Sequence, residues 1–315
     1  MIDFRYHLVS LIAVFLAVAL GIVIGTTQLN GPLTDNLQGQ VTALQDDKRS
    51  LEDQTQQLQG QLDDVGAFEE AVGPTLVQNT LTGRSVVFVV AGGDVDPDVL
   101  EGLTALVGSA GATVTGTVRL TDGYADASAA STVESYLGGP GLPTSVTLPE
   151  TDDVGELVGS ALAQVLMVPS AGDARPVPSN ADTSTLLAGL QELDVLSQDS
   201  TSVTAADYAV VVTAGTVGGD DAEARTTALV QLATALDDQG SGAVVAGDAA
   251  SAGDGGLVTA VRDDQTVTAA VSTVDNVTAA AGRISTVLAL SAEGTGTSGE
   301  YGVGEDTQPV PLPTS

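Results

Sequence analysis

Residues Leu8–Ile24 read LVSLIAVFLAVALGIVI, a run without a charged side chain in which Ser10 is the only polar residue. Counting on to Thr27 gives a segment of twenty residues. At about 1.5 Å rise per residue, a helix of that length is about 30 Å long, which is the thickness of the hydrocarbon core of a bilayer. The run therefore predicts a transmembrane helix, for which we take residues 8–29, and it determines where every later residue lies.

Two kinds of amino-terminal segment have this composition. A secretory signal peptide has a charged start, an apolar core of about 7–15 residues and then a small-x-small cleavage site. Arg5 supplies the charge, but the small pair Ala17 and Ala19 lies inside the apolar run. We therefore interpret the run as an uncleaved anchor. Because the next basic residue is Lys48, the positive-inside rule predicts a single-pass protein of the cell membrane, with residues 1–7 cytoplasmic and the rest of the chain extracytoplasmic.

Small residues recur at every fourth position of the span, a spacing that lets two membrane helices approach closely. Glycine and alanine are also common in membrane helices that do not pair, so a monomeric span is the alternative. We take the small residues as a dimer interface in the membrane. They are Ala13, Ala17, Gly21 and Gly25.

A second helical pattern follows the span. Asn30, Gly31 and Pro32 are expected to interrupt the helix at the membrane surface. In residues 33–72, a narrow stripe then alternates in steps of four and three, the a and d positions of a coiled coil. We predict a parallel homodimer, whereas a single helix packed on a domain would show a wider apolar stripe. The stripe, which we call the seam, consists of Leu37, Val41, Leu44, Lys48, Leu51, Thr55, Leu58, Leu62 and Val65.

The composition excludes several classes of function. The chain has 41 acidic and 9 basic residues, a net charge of -32, which opposes binding to nucleic acid and to anionic lipid surfaces. It has no cysteine, and its one histidine is His7, so the soluble part cannot contain a Ser-His-Asp triad or a cysteine nucleophile. We therefore expect a protein that is not an enzyme, with no catalytic residue and no cofactor.

Residues 84–292 alternate between strand and helix patterns. Ser85–Ala91 is an apolar, β-branched run typical of a buried parallel strand. Asp96 then has the position of a helix N-cap with Pro97 in the first turn, and Thr113–Leu120 is the next strand, which completes a βαβ unit. Further strands are predicted at Tyr208–Thr213, Ala243–Ala246 and Val267–Val274, and further helical faces at Val154–Leu166, Leu186–Leu193, Leu229–Leu236 and Val277–Leu288.

This alternation predicts an α/β domain, Rossmann-like or flavodoxin-like, with a mostly parallel sheet. The connections 121–153 and 168–182 are rich in Gly, Pro, Ser and Asp, and either could separate two subdomains. Residues 293–315 have the low complexity of a disordered tail.

Asp94, Asp96 and Asp98 are spaced by two, as at the start of a calcium loop. Such a loop of the EF-hand type needs glycine at its sixth position and glutamate at its twelfth. Those positions are Val99 and Ala105 here, so we expect helix capping rather than a weak cation site.

Three glycine-containing turns follow predicted strands, where open α/β sheets bind ligands. They are Gly92–Gly93, Gly215–Gly219 and the turn at Gly247. None has the spacing of a dinucleotide or Walker motif, and their acids would repel phosphate, so nucleotide binding is not expected. These acids are Asp94, Asp220, Asp221 and Asp248.

The start of the chain, MIDFRYHLVSLIAVFLAVALGIVIGTTQLNGPL, resembles the opening of the actinobacterial MctB family of mycobacterial copper-transport outer-membrane proteins. The segments VVFVVAGG, STVDN and YGVG are similar too, so the resemblance extends over the whole chain. It implies a role in copper homeostasis or efflux and leaves an outer-membrane location open. Some relatives look instead like coiled-coil partners that activate peptidoglycan hydrolases in cell separation, which makes a cell-wall protein the alternative partner.

Copper(I) prefers Cys, Met or His as ligands. The chain offers Met1, His7 and Met167 alone, so we predict no dedicated metal site. The resemblance also implies a pore-forming protein, but a pore is difficult to derive from one apolar helix and from strands that alternate with helices.

Overall fold

The computed structural model describes residues 4–92, 94–170, 175–200, 202–219 and 221–311, without the side chains of 26–36. The chain divides into two compact units, residues 1–65 and 66–315. Each unit is described in turn.

The first unit is helical. Helix α1, Phe4–Leu76, runs through it without a break and ends in the second unit. The predicted interruption at Asn30–Pro32 is wrong. A proline removes a single backbone donor, and the strongly helical segments before and after it supply the rest of the hydrogen-bond ladder.

The second unit is an α/β domain. Its elements after α1 are β1 Ser85–Val90, α2 Pro97–Ser109, β2 Thr113–Leu120, α3 Ala130–Leu137, α4 Val154–Leu166, α5 Asn180–Glu192, β3 Leu196–Gln198, β4 Tyr208–Thr213, α6 Ala222–Gln239, β5 Ala243–Gly247, α7 Leu257–Arg262, α8 Gln265–Thr268, β6 Ser272–Val274, α9 Ala280–Glu293 and β7 Glu300–Tyr301.

In the described part of the chain the strands form one seven-stranded sheet in the order β3-β2-β1-β4-β5-β6-β7. All neighbours are parallel except β2 and β3, which are antiparallel. The predicted fold class is confirmed. The chain winds outward from β1 in one direction to β2 and in the other to β4, so the strand order reverses between β1 and β4.

Helices cover both faces of the sheet, as the continuous apolar strands require. In β1, Val86, Phe88 and Val90 face the layer that contains α2 and α9, whereas Val87 and Val89 face the layer of α4 to α7. Helices α4 and α6 lie unusually close together, because a Cβ at Gly155 would come within 2.5 Å of the Ala228 Cβ.

Three predicted boundaries are corrected. Residues 267–274 are not one strand, because the Asp264 side chain accepts from the N–H groups of Thr266 and Val267 and starts α8; the strand β6 begins at Ser272. The connection 121–153 contains α3 and, like the described residues of 168–182, lies in one compact unit rather than between subdomains.

The predicted disordered tail 293–315 is also wrong in part. Glu293 ends α9, and Glu300–Tyr301 pairs with β6 as β7. Tyr301 is buried and its carbonyl accepts from Arg262 Nη2 at 3.1 Å. Strand pairing, this polar contact and the burial of Tyr301 in the apolar core together hold the segment. Residues 312–315 lie outside the described part of the chain.

Candidate functional site

A crevice of about 810 Å³ opens at the carboxyl ends of β1, β2 and β4. It therefore lies where the strand order reverses, the usual ligand position in open α/β sheets. The turn at Gly92 follows β1, Thr121 and Asp122 follow β2, and the turn that contains Gly218 and Gly219 follows β4. The fold thus brings together three connections that are distant in the sequence.

The floor of the crevice is apolar. Leu120, Val217 and Leu229 line it and are buried. Tyr124 completes the floor and donates its hydroxyl to the Ala228 carbonyl at 3.2 Å. Burial raises the pKa of Tyr124, and the nearby Asp153 raises it further, so this phenol stays protonated at physiological pH.

Arg225, in the second turn of α6, joins the two connections that flank β1. Its Nη1 donates to the Gly218 carbonyl at 3.1 Å and its Nη2 donates to the Asp122 carbonyl at 3.0 Å. The Asp122 carboxylate lies 3.7 Å from Nη1 and is fully exposed to solvent. Arg225 therefore links these two connections mainly through neutral carbonyl oxygens, and its charge is only weakly compensated by the solvated Asp122 carboxylate.

A second guanidinium lines the crevice from β2. Arg119 donates from Nε and Nη2 to Asp199 Oδ2, at 3.2 and 2.8 Å. Both side chains of this pair are partly exposed, at 35% and 40%, so water weakens the attraction. The pair holds the Arg119 side chain at the edge of the crevice.

The glycine turns predicted to form a crevice do so in part. Gly92 and the end of the Gly215–Gly219 turn line it, whereas Gly93 and Asp220 lie outside the described residues. The turn at Gly247 contributes indirectly, since Asp248 Oδ1 accepts from the Gly215 N–H at 2.9 Å and so fixes the start of the Gly215–Gly219 turn.

The predicted capping role of Asp96 is confirmed, because its side chain accepts from the Asp98 N–H at 3.0 Å with Pro97 in the first turn. Asp94 lines the crevice instead. Asp221 precedes α6 and makes no capping hydrogen bond from its side chain.

Sequence reasoning missed Arg119, Arg225 and Tyr124. A usable signal was present for the arginines, because the whole chain has 9 basic residues and these two lie next to predicted strand ends or glycine turns. That both arginines line the same crevice becomes apparent only when the strand order is known.

The apolar side chains of the seam are exposed in α1. These leucine and valine side chains are more than half exposed, from 53% at Val65 to 71% at Leu44. Lys48 pairs with Glu52 at 3.1 Å and the Thr55 hydroxyl donates to the Leu51 carbonyl at 2.7 Å, so these two seam positions have local partners. The coiled coil itself stays a prediction.

Among the described residues, one helical segment is long and apolar enough to cross a membrane by length and composition, Phe4–Gly25, with a mean hydropathy of 2.9. The small residues of the predicted membrane interface lie in it. A Cβ added at Gly21 or Gly25 would meet no atom within 4 Å, so these glycines leave open space on the helix surface.

The described residues contain no cluster of three or more His, Asp or Glu side chains arranged to hold a metal ion. Of the possible soft ligands, His7 is exposed in α1 and Met167 is fully buried beside its bridge partner Ala206. Met1 lies outside the described part.

These features define a class of protein, one apolar amino-terminal helix followed by a doubly wound α/β domain. Residues 1–312 match the family described as "Copper transport outer membrane protein, MctB". Proteins named "Copper transporter MctB" from Mycobacterium tuberculosis and Mycobacterium bovis are 33% identical over 313 residues, covering 98% of this chain and 99% of each relative. The relative of that name from Mycobacterium leprae is 33% identical over 326 residues, 99% of this chain and its own whole length. The chain belongs to the MctB family.

The resemblance seen in the sequence is thus confirmed over nearly the full length. The names of the relatives refer to copper transport. None refers to cell-wall hydrolysis, so the alternative partner has no support from the comparisons.

Proposed function

We propose that this protein is a single-pass, membrane-anchored envelope protein that contributes to copper homeostasis by efflux and is not itself an enzyme. The observation that carries the proposal is the family match over residues 1–312, together with the apolar segment Phe4–Gly25. The charge bias around the span favours a cytoplasmic amino terminus and an extracytoplasmic α/β domain.

The kinds of metal-ligating side chain in the sequence limit how this protein can take part in copper efflux. Carboxylates greatly outnumber the soft ligands that copper(I) prefers, and the chain has no cysteine. Copper is therefore the cargo of a process in which this chain takes part, and we do not assign it a chelating site here. A contribution through assembly with other envelope components fits this composition better than binding and release of the ion by this chain.

We further propose that two copies associate in parallel through the seam and the small residues of the span. The exposure of the seam supports this, since seven leucine and valine side chains in one stripe leave a long apolar surface that a second helix would cover. The span and the seam belong to one continuous helix, so both interfaces would act on the same pair of chains.

The test of the copper role is a deletion strain of the source bacterium, complemented with the full chain or with an empty vector. We expect the deletion to accumulate copper and to grow less well at raised copper, and the full chain to restore both. Zinc tolerance serves as the control and should not change. Unaltered copper content and tolerance would overturn the proposal, and unseparated cells with normal copper content would favour the cell-wall alternative.

The test of the dimer is cross-linking of the full chain in detergent. Leu44→Asp together with Leu51→Asp places charges in the seam and should abolish the cross-linked dimer. The matched control, Gln56→Asp with Gln57→Asp, adds the same two charges outside the seam and should leave the dimer intact. A dimer that survives the seam substitutions would mean that the seam is not the interface.

A further inference from the structure

The crevice borders two buried polar groups without a partner. Among the described side chains, Thr213 Oγ1 and Arg225 Nε are both shielded from solvent and make no hydrogen bond. Thr213 ends β4 and is 1% exposed. Its hydroxyl faces Gly92, because a Cβ at Gly92 would lie 3.6 Å from Thr213 Oγ1. Gly92 lines the crevice, so the hydroxyl lies behind a residue that has no side chain to separate it from the crevice.

Buried polar groups in native proteins are nearly always satisfied, and an orphaned one costs stability. Both orphaned groups here can donate. Gly218 and Gly219 line the crevice and are exposed, and their backbone N–H groups donate to no acceptor in the described part of the chain, so they are open to water or to a ligand. The unsatisfied capacity at this site is therefore for an acceptor, such as a carboxylate oxygen.

The charge of Arg225 points the same way. Among the described residues, both of its Nη hydrogen bonds end on neutral carbonyls, and the Asp122 carboxylate is 3.7 Å away in full solvent. Hydrogen bonds from Ser128 lower the pKa of Asp126, and the Arg225 charge adds a smaller contribution in the same direction. A guanidinium with this surrounding can still attract an anion.

Acidic side chains at the mouth of the crevice, which we call the rim, limit which anion can bind. Asp94 and Asp122 are exposed carboxylates of the same crevice, and they repel a multiply charged group such as phosphate. They favour a ligand that also carries an ammonium group. Between rim and donors, the floor of Leu120, Val217 and Leu229 suits an apolar side chain.

We propose that the crevice binds a zwitterionic α-amino carboxylate, either an amino acid or a short peptide. Its carboxylate meets Thr213 and the donors of Gly218 and Gly219 beside Arg225, its side chain lies on the apolar floor, and its ammonium lies near Asp94. The volume of about 810 Å³ is within the range of small-molecule sites. This site is independent of the copper role.

The test is isothermal titration calorimetry of the full chain in detergent with the tripeptide Ala-Leu-Ala. Two further probes are the same peptide acetylated and amidated at its ends, and inorganic phosphate. We expect the free peptide to bind, the capped peptide to bind at least about tenfold more weakly, and phosphate not to bind. Equal binding of free and capped peptide, binding of phosphate alone, or no binding by any probe at millimolar concentration would overturn the proposal.

Variants then locate the site. Arg225→Gln removes the charge and should weaken peptide binding about tenfold or more. Arg84→Gln is its control. Arg84 precedes β1 and pairs with Asp207, which precedes β4, so this pair lies at the amino ends of the strands, away from the crevice. Gly218→Leu fills the crevice from a position with open space around it, whereas Gly108→Leu adds the same bulk on α2 with no atom in reach.

Thr213→Val separates a ligand role from a structural one. It removes an orphaned hydroxyl without changing the shape of the side chain, so the melting temperature should hold or rise while peptide affinity falls about fivefold. A fall in melting temperature with unchanged affinity would mean that the hydroxyl serves the fold, and would overturn its assignment as a ligand. Wild-type affinity in both Arg225→Gln and Gly218→Leu would place the peptide elsewhere.

Discussion

Two buried carboxylates lie at opposite ends of β6, and their surroundings are opposite too. Asp275 follows the strand and is 1% exposed. It accepts from Arg262 Nη1 at 3.0 Å and from the backbone N–H groups of Val303 and Gly304 at 2.8 and 3.1 Å. This carboxylate is compensated by a cation and by two further donors, and it holds the carboxyl-terminal segment against the sheet.

Glu293 contacts the start of the same strand. It is 8% exposed, and its Oε1 accepts from both the N–H and the hydroxyl of Ser272. No cation contacts it in the described part of the chain. Its pKa is raised to about 8 mainly by burial; the negative charge of Asp237 adds to the rise, and the hydrogen bonds from Ser272 oppose it.

The difference shows two ways in which a strongly acidic chain compensates the negative charge of a buried carboxylate. Arginine is scarce here, so a cation is present at one end of the strand and absent at the other. Where the cation is present, the carboxylate is a strong structural contact. Where it is absent, protonation replaces the cation near neutral pH.

The largest effect is expected from Asp275→Asn. This change leaves the Arg262 guanidinium, which is 14% exposed, without its buried partner. Breaking a buried pair in this way costs about 3–5 kcal/mol of unfolding free energy. Urea denaturation of the full chain in detergent measures the loss.

The matched control for that change is Asp199→Asn at the partly exposed pair with Arg119. Exposed pairs contribute about 0–1 kcal/mol, so its effect should be small. If Asp275→Asn lost as little unfolding free energy as Asp199→Asn, the buried ion pair of Asp275 would contribute no more to stability than a surface pair does.

An intermediate effect is expected from Glu293→Gln, and it depends on pH. Because the pKa of Glu293 is raised on folding, the associated stability is full below the unfolded pKa of about 4.5 and is lost as pH rises through about 8. The glutamine keeps the acceptor for Ser272 but cannot ionise. The variant should therefore match wild type at pH 4 and exceed it at pH 9 by about 2–4 kcal/mol.

Unfolding free energies across pH 4–9 check this prediction. Glu300→Gln is a suitable control, because Glu300 is partly exposed and lies 3.7 Å from Arg262. A constant difference between Glu293→Gln and wild type over the whole range would show that folding does not shift the pKa of Glu293, and the contrast with Asp275 would then rest on hydrogen bonding alone.

The sequence predicted the parts of this fold that depend on neighbouring residues. The apolar run of β1, the cap at Asp96 with Pro97, and the glycine turns after β1 and β4 are local patterns, and each lies where it was expected. Strand order cannot be read locally, since β1 pairs with both β2 and β4 although more than eighty residues separate β2 from β4. The crevice depends on that order.

The missed features depend on contacts across the chain. Arg225 reaches the carbonyl of Asp122, which is 103 residues earlier. The sequence pattern predicts a disordered tail that starts at Glu293, because no local pattern signals that a carboxylate at a helix end will be buried. The short strands β3 and β7 carry too few residues for a periodic signal, and they form because neighbouring strands pair with them.

The smallest expected effect is on the pKa of Glu293, through its electrostatic coupling to Asp237. The two side chains line a common cavity of about 250 Å³ at the amino ends of β5 and β6. Asp237→Asn removes the charge that raises the Glu293 pKa, and the amide oxygen can still accept from the Ala243 N–H, as the carboxylate does at 2.9 Å. The pKa of Glu293 should therefore fall below about 8. Carboxyl-carbon NMR titration of the full chain measures it directly.

Asp238→Asn is the matched control. Asp238 is exposed and raises the pKa of Asp237, itself about 6 mainly because of burial. Removing its charge should lower the Asp237 pKa and leave that of Glu293 close to the wild-type value. An unchanged Glu293 pKa in Asp237→Asn would mean that burial alone keeps this acid protonated. The two ends of β6 would then differ in one respect, whether an arginine reaches the carboxylate.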